Sequence, residues 1–203
     1  MADSGKSGTG GVGAAAAGLL SLVAVGLVLA RFMHDAGWRG APPHDATVRA
    51  IVLAGAAVAA LTGAAQALAV LAADRRLRPA SWVTRLALAG GLAGAALWLG
   101  AGVGALAGEL GSGDAARTGA LLAELAPVGA GVWALGAVAA AWRLRVWPAW
   151  LRVTGAVFGA AAMVQPGLPP LALVSLLAGL VWWSGLAAVL LRPIRDVQGS
   201  TRG

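Results

Sequence analysis

Only two histidines occur in the chain, and each is followed by an aspartate: His34-Asp35 and His44-Asp45. They share one short polar segment with Trp38, Pro42 and Pro43. An imidazole beside a carboxylate is a donor set that suits Zn²⁺ or another divalent metal. Glu109 and Glu124 could approach the same place from neighbouring helices. The competing reading is an ordinary polar loop. In that reading Asp45, just ahead of the apolar run that opens at Val48, caps a helix by accepting its first free amides.

Glu124 is the second residue with chemical potential. It lies inside an apolar run, seven residues after Arg117, which is about 10 Å along a helix. Ionisable groups inside membrane spans are costly and usually face the bundle interior or a cavity. Pro127 follows three positions later and removes a backbone donor close by. A carboxylate beside a break in the hydrogen-bond ladder is one way to build a proton or ion site, with Glu109 as its candidate companion. The alternative sets Glu124 at interfacial depth, paired with Arg31, Arg117 or a loop hydroxyl. Gln66, deep in another apolar run, is better suited to bridging two helices than to holding a ligand.

Familiar catalytic templates fail on their own terms. Gly111-Ser112-Gly113-Asp114 has the Gly-x-Gly-Asp form of an intramembrane aspartyl protease, but it falls in a loop and no second in-span Asp exists. Ser184 follows Trp183 and has no histidine in any span to act as its base. Both histidines sit in one loop, so paired-His haem ligation is excluded. The absence of cysteine removes disulfides, thiolate metal sites and Cys nucleophiles. Gly5-Lys6-Ser7 lacks the upstream glycine of a phosphate loop. No cofactor is expected.

The elements that must position these residues are apolar. Hydrophobic residues make up 59% of the 203, charged residues only 11%, and mean hydropathy is +0.81. Soluble domains carry about 25% charged residues, so this composition belongs to the membrane class. Six apolar runs span about residues 10–30, 48–72, 82–108, 118–142, 148–165 and 169–191. Each is long enough, or nearly so, for a bilayer core that takes about 20 helical residues. They must be helices, because an isolated strand in lipid leaves its backbone groups unpaired, and barrel strands would alternate polar and apolar residues. The first run is longer than a signal-peptide core and no clean Ala-x-Ala site follows it, which favours an uncleaved span. Residues 1–9 and 193–203 read as polar tails, so the chain reads as a single membrane domain.

Charge orients the runs. With the N-terminus inside, Lys6, Arg75, Arg76, Arg78, Arg85, Arg143, Arg145, Arg152, Arg192, Arg195 and Arg202 face the cytoplasm, eleven of the fifteen basic residues. Arg31, Arg39, Arg49 and Arg117 remain outside. This positive-inside bias predicts both termini cytoplasmic, as an even number of spans requires. It also reassigns the net charge of +7 from nucleic acid to anionic lipid. The skew toward Ala, Gly and Arg points to a GC-rich bacterial genome and hence to the inner membrane.

Trp82, Trp142, Trp147 and Trp150 map to the inner interface, where an indole keeps its ring in lipid and its N–H wet. Trp98, Trp133, Trp182 and Trp183 lie deeper, as packing residues opposite glycine or as the lining of a pocket. Glycines repeat every four residues at Gly90 and Gly94, at Gly100, Gly104 and Gly108, and at Gly155 and Gly159. Such stripes let a neighbouring backbone approach closely, within the bundle or in self-association.

The segment from Arg143 to Arg152, Arg-Leu-Arg-Val-Trp-Pro-Ala-Trp-Leu-Arg, precedes a span holding Gly155 and Gly159. A final span with Trp182-Trp183 closes at Leu190-Leu191-Arg192. This C-terminal third resembles small six-span bacterial membrane proteins catalogued as a domain of unknown function. The resemblance implies six spans and carries over no activity and no functional residue.

The expectation is therefore an all-α integral membrane bundle of six transmembrane helices, N-in and C-in, in the plasma (inner) membrane. The favoured role is a non-enzymatic structural or accessory component. Its partners would be the bilayer and either a second copy or a membrane partner subunit, with no nucleic acid. The alternatives are a small ion- or proton-coupled transporter using Glu124 and, more remotely, an enzyme with an outer-face metal site at His34, Asp35, His44 and Asp45.

Overall fold

The computed structural model describes residues 11–20, 23, 45–77, 81–168 and 170–191. The chain is all-α, with six helices among the described residues: α1 (Gly11–Leu20), α2 (Asp45–Arg76), α3 (Trp82–Glu109), α4 (Gly113–Leu144), α5 (Ala149–Val164) and α6 (Leu171–Leu191). Four of them, α2, α3, α4 and α6, are long and apolar enough to cross a membrane. The 16 residues of α5 and the described part of α1 are apolar but shorter.

Local chemistry sets the helix ends. Ser81 caps α3, its Oγ accepting from Thr84 N at 3.3 Å, while Thr84 Oγ1 donates to Ser81 O at 2.8 Å. The α3–α4 turn is tighter than the sequence implies. Gly111 takes φ of +100°, open to glycine at no steric cost, and Ser112 caps α4 with its Oγ 3.4 Å from Ala115 N. Gly113 and Asp114 are therefore helical, and α4 begins five residues before the expected Thr118. At the other end Arg145 adopts the left-handed conformation, φ 54°, and turns the chain toward Pro148 and α5.

Small residues fix the packing order. α3 packs most extensively against α4, then α2 against α3, α4 against α5 and α5 against α6. The contact is close because glycine lies at the crossings. A Cβ on Gly94 would fall 2.8 Å from Ala130 N and 2.9 Å from Ala126 O, and one on Gly104 would fall 2.7 Å from both Ala115 O and Gly119 Cα. Gly100 and Gly108 face Leu122 and Ala116, Gly155 faces Trp182, and Gly159 faces Leu135 and Gly131. The glycine stripes are thus occupied inside the bundle.

Large side chains fill what the glycines leave open. Trp133 stacks on Trp183 (centroids 5.3 Å apart, 13° between planes) and meets Trp182 edge-on at 6.2 Å. Trp147, expected at the interface, instead turns inward: it is buried and meets Trp182 edge-on at 5.5 Å. Trp82, Trp142 and Trp150 stay exposed, and the Arg152 guanidinium lies 5.0 Å over the Trp142 ring, a cation–π contact.

Gly11 lies against Leu191 and Gly18 against Ser184, so α1 begins beside the end of α6. Gly13 meets Ala65 and Leu68 on the other side, seating α1 between α2 and α6. The antiparallel order then gathers Arg75, Arg76, Arg85, Arg143, Arg145 and Arg152 at the end of the bundle where α6 finishes. Arg49, Glu109, Asp114 and Arg117 lie at the opposite end.

Candidate functional site

A half-open cleft of about 520 Å³ enters the bundle among α2, α3, α4, α5 and α6. That volume is in the range of small-molecule sites. Its walls are the α4 face Ala123, Pro127 and Ala130 and the α6 face Ala172, Ser175, Leu176, Gly179 and Trp183, with Trp98 and Phe158 beside them. Both faces follow helical spacing, which brings such residues onto one stripe. From Ala172 to Trp183 the cleft follows α6 for about 17 Å.

Its floor is a single tier of mutually packed residues. Gln66 Nε2 donates to Gly91 O at 3.0 Å. A Cβ on Gly91 would fall 2.8 Å from the Trp133 ring, and Trp133 carries Trp183. Phe158 meets Trp183 edge-on, centroids 6.2 Å apart. Gln165, where α5 stops, lines the mouth.

Polar groups in the cleft are few and uncharged. Gln66 is 1% exposed and Ser175 5%, and they are the buried polar side chains of the described core. With Gln66 Nε2 engaged by Gly91, its carbonyl oxygen has no hydrogen bond among the described residues. Thr62 Oγ1 donates to Val58 O at 2.7 Å. Pro127 has no N–H, which deprives the Ala123 carbonyl of its α-helical donor, and both residues line the cleft.

His34, Asp35 and His44 lie outside the described residues, and Asp45 opens α2 with its side chain likewise outside the description. Among the described residues, no three His, Cys, Asp or Glu converge on a metal-sized site. Glu109 pairs with Arg49 at 3.4 Å, and Arg117 pairs with Asp114 at 3.8 Å.

Glu124 is exposed, does not line the cleft and has no ion pair among the described residues. Packing fixes its level. Gly131 of α4 abuts Gly159 and Met163 of α5, beyond which α5 has at most about 8 Å left to rise. Glu124 is about 10 Å from Gly131 along α4, so it stands past the end of α5.

No protein-family model, curated protein or solved structure matches the chain.

Sequence reasoning passed over Ser175, Thr62 and Gln165 as cleft residues. The signal for Ser175 is present: Ala172, Ser175, Leu176, Gly179 and Trp183 share one helical stripe, and Ser175 is its only hydroxyl. Nothing in one sequence says that this stripe faces Ala123 and Pro127 rather than lipid.

Proposed function

We propose that this chain is a non-enzymatic component of the bacterial inner membrane, with six spans and both termini cytoplasmic, that acts by binding. Its role is that of an accessory or partner-binding subunit. The observation that carries this reading is the separation of charge from the interior. Apart from Glu124, the twelfth residue of α4, the described ionised side chains sit toward the two ends of the bundle, while the described lining of the cleft is an apolar surface with amide and hydroxyl groups. Such a lining can hold and orient a molecule but supplies no acid, base or nucleophile pair.

The orientation is supported by the six arginines gathered at the end where α6 finishes, the sign pattern of a cytoplasmic rim. The 16 residues of α5 make it a short span, supported by its packing against both α4 and α6.

Two measurements test the reading. Purification of the full chain in mild detergent should retain a stoichiometric partner or a defined oligomer; a monodisperse lone monomer refutes the subunit role. A cytoplasm-active reporter fused after Gly203 should be active; an inactive one reverses the orientation. The transporter reading rests on Glu124. If Glu124→Gln leaves proton leak and solute flux in vesicles unchanged, that reading has no residue left.

A further inference from the structure

We infer that the cleft is a binding site for a neutral, largely apolar molecule with a flat ring and one hydrogen-bonding group, entering from the end where α5 stops. Three independent features carry this.

The first is size and shape. About 520 Å³ of half-open space among five helices lies in the range of small-molecule sites. The glycines elsewhere in this bundle leave little slack: at most of them a Cβ would meet a neighbour within about 3 Å.

The second is polarity. Gln66 and Ser175 are the buried polar side chains of the described core, they lie on different helices, and both line this one cavity. Neither Gln66 Oε1 nor Ser175 Oγ is among the buried side-chain atoms left without a partner, which are Arg152 Nε and Trp182 Nε1 among the described residues, so both oxygens open onto the cleft, where a ligand can reach them. The Ala123 carbonyl, stripped of its helical donor by Pro127, adds an acceptor on the opposite wall. A ligand hydroxyl or amine can donate to Gln66 Oε1 or Ala123 O, and a ligand carbonyl can accept from Ser175 Oγ.

The third is the nature of the walls. Trp183 is held flat against Trp133 behind it and edge-on by Phe158, which presents a fixed aromatic surface. Trp98 stands on α3 beside the same space. Aromatic pairs favour offset-stacked or edge-to-face geometry, so a ring fits here better than a branched aliphatic. Among the described residues, those that line the cleft are uncharged.

The test uses the full chain reconstituted in phosphatidylcholine vesicles and a photoreactive neutral probe, a trifluoromethyl-diazirinyl benzyl alcohol, with adducts mapped by mass spectrometry. Adducts should concentrate on cleft residues of α4 and α6. They should fall about tenfold when the trifluoroacetyl analogue is present at ten times its Kd, as mass action requires. Gln66→Leu and Ser175→Leu, which keep apolar bulk, should each weaken that competition. Ala172→Trp, at the mouth and remote from the packed core, should block cleft labelling while lipid-facing adducts at Val103 persist. The corresponding benzoate should not compete. Equal, non-competable labelling of the cleft and of Val103 overturns the inference, because the cleft is then only lipid-facing surface. Absence of adducts in the cleft overturns it as well. Neither result depends on finding a partner subunit, so this inference and the subunit role fail separately.

Discussion

Arg76 holds the end of α6. From the last turn of α2, its Nη1 donates to Val189 O at 2.8 Å and its Nη2 to Leu190 O at 2.7 Å. The last carbonyls of a helix have no intrahelical donors and carry the negative end of its dipole. A guanidinium supplies both the donors and the opposite charge, across 113 residues of sequence.

Arg76→Gln should therefore destabilise the detergent-solubilised protein by about 1.5–3 kcal/mol, the range for hydrogen bonds to charged groups, reduced by the partial exposure of the side chain. Arg75→Gln, one residue away and exposed, should leave the melting temperature unchanged. Thermal denaturation of the two variants side by side checks this, and equal shifts would show that only rim charge matters.

Gly94 and Gly55 make a contrasting pair. A Cβ on Gly94 meets the α4 backbone at 2.8–2.9 Å, whereas one on Gly55 meets nothing within 4 Å. Gly94→Ala should cost about 1–3 kcal/mol through overpacking, since backbone cannot move aside as a side chain can. Gly55→Ala should be neutral or mildly stabilising. Denaturation midpoints of the two variants decide it.

The Arg49–Glu109 pair at 3.4 Å ties the start of α2 to the end of α3, with Arg49 63% exposed. Exposed ion pairs are worth about 0–1 kcal/mol. Glu109→Gln should cost less than about 1 kcal/mol, and the difference should vanish in high salt. A salt series of melting curves is the measurement. A large, salt-independent loss would instead give Glu109 a role beyond pairing.

Gln66→Leu should cost only about 1 kcal/mol or less, the usual worth of a side-chain hydrogen bond between membrane helices. Gly91 O also accepts within its own helix, so it is not orphaned. Gln66→Ala should cost more, because it removes bulk from the floor tier as well. Melting temperatures of the two variants separate the hydrogen bond from the volume.

Much of the architecture is legible in the sequence, because hydropathy and charge report directly on the medium. From the second run onward the apolar runs coincide with the helices apart from their ends, and the first is helical over its described residues 11–20. The ends shift where capping wins over composition: Ser112 starts α4 among residues that read as a loop. Trp147 shows the converse limit. An indole beside Pro148 and two arginines resembles an interfacial anchor, yet Trp182 offers it a buried edge-on partner that no periodicity reveals. Glu124 is the clearest case for the site. Its cost inside a span makes it conspicuous, but it is exposed and does not line the cleft, which one sequence does not reveal. The cleft brings Gln66, Pro127, Trp98 and Trp183, conspicuous one by one in the sequence, together with alanines and Ser175 from other helices, a meeting that no single periodicity shows.

The shortness of α5 has a consequence for the surrounding lipid. Its 16 residues rise about 24 Å, against about 30 Å of hydrocarbon in an ordinary bilayer. A membrane meeting α5 as a span must thin locally or tilt the bundle, at a cost of fractions of a kcal/mol per Å of mismatch. Where α5 serves as a span, the leaflet is drawn inward beside Gln165, next to the mouth of the cleft. Bilayer thickness then sets whether acyl chains or headgroups stand at that mouth, so thicker membranes strain this corner of the protein and thinner ones relax it.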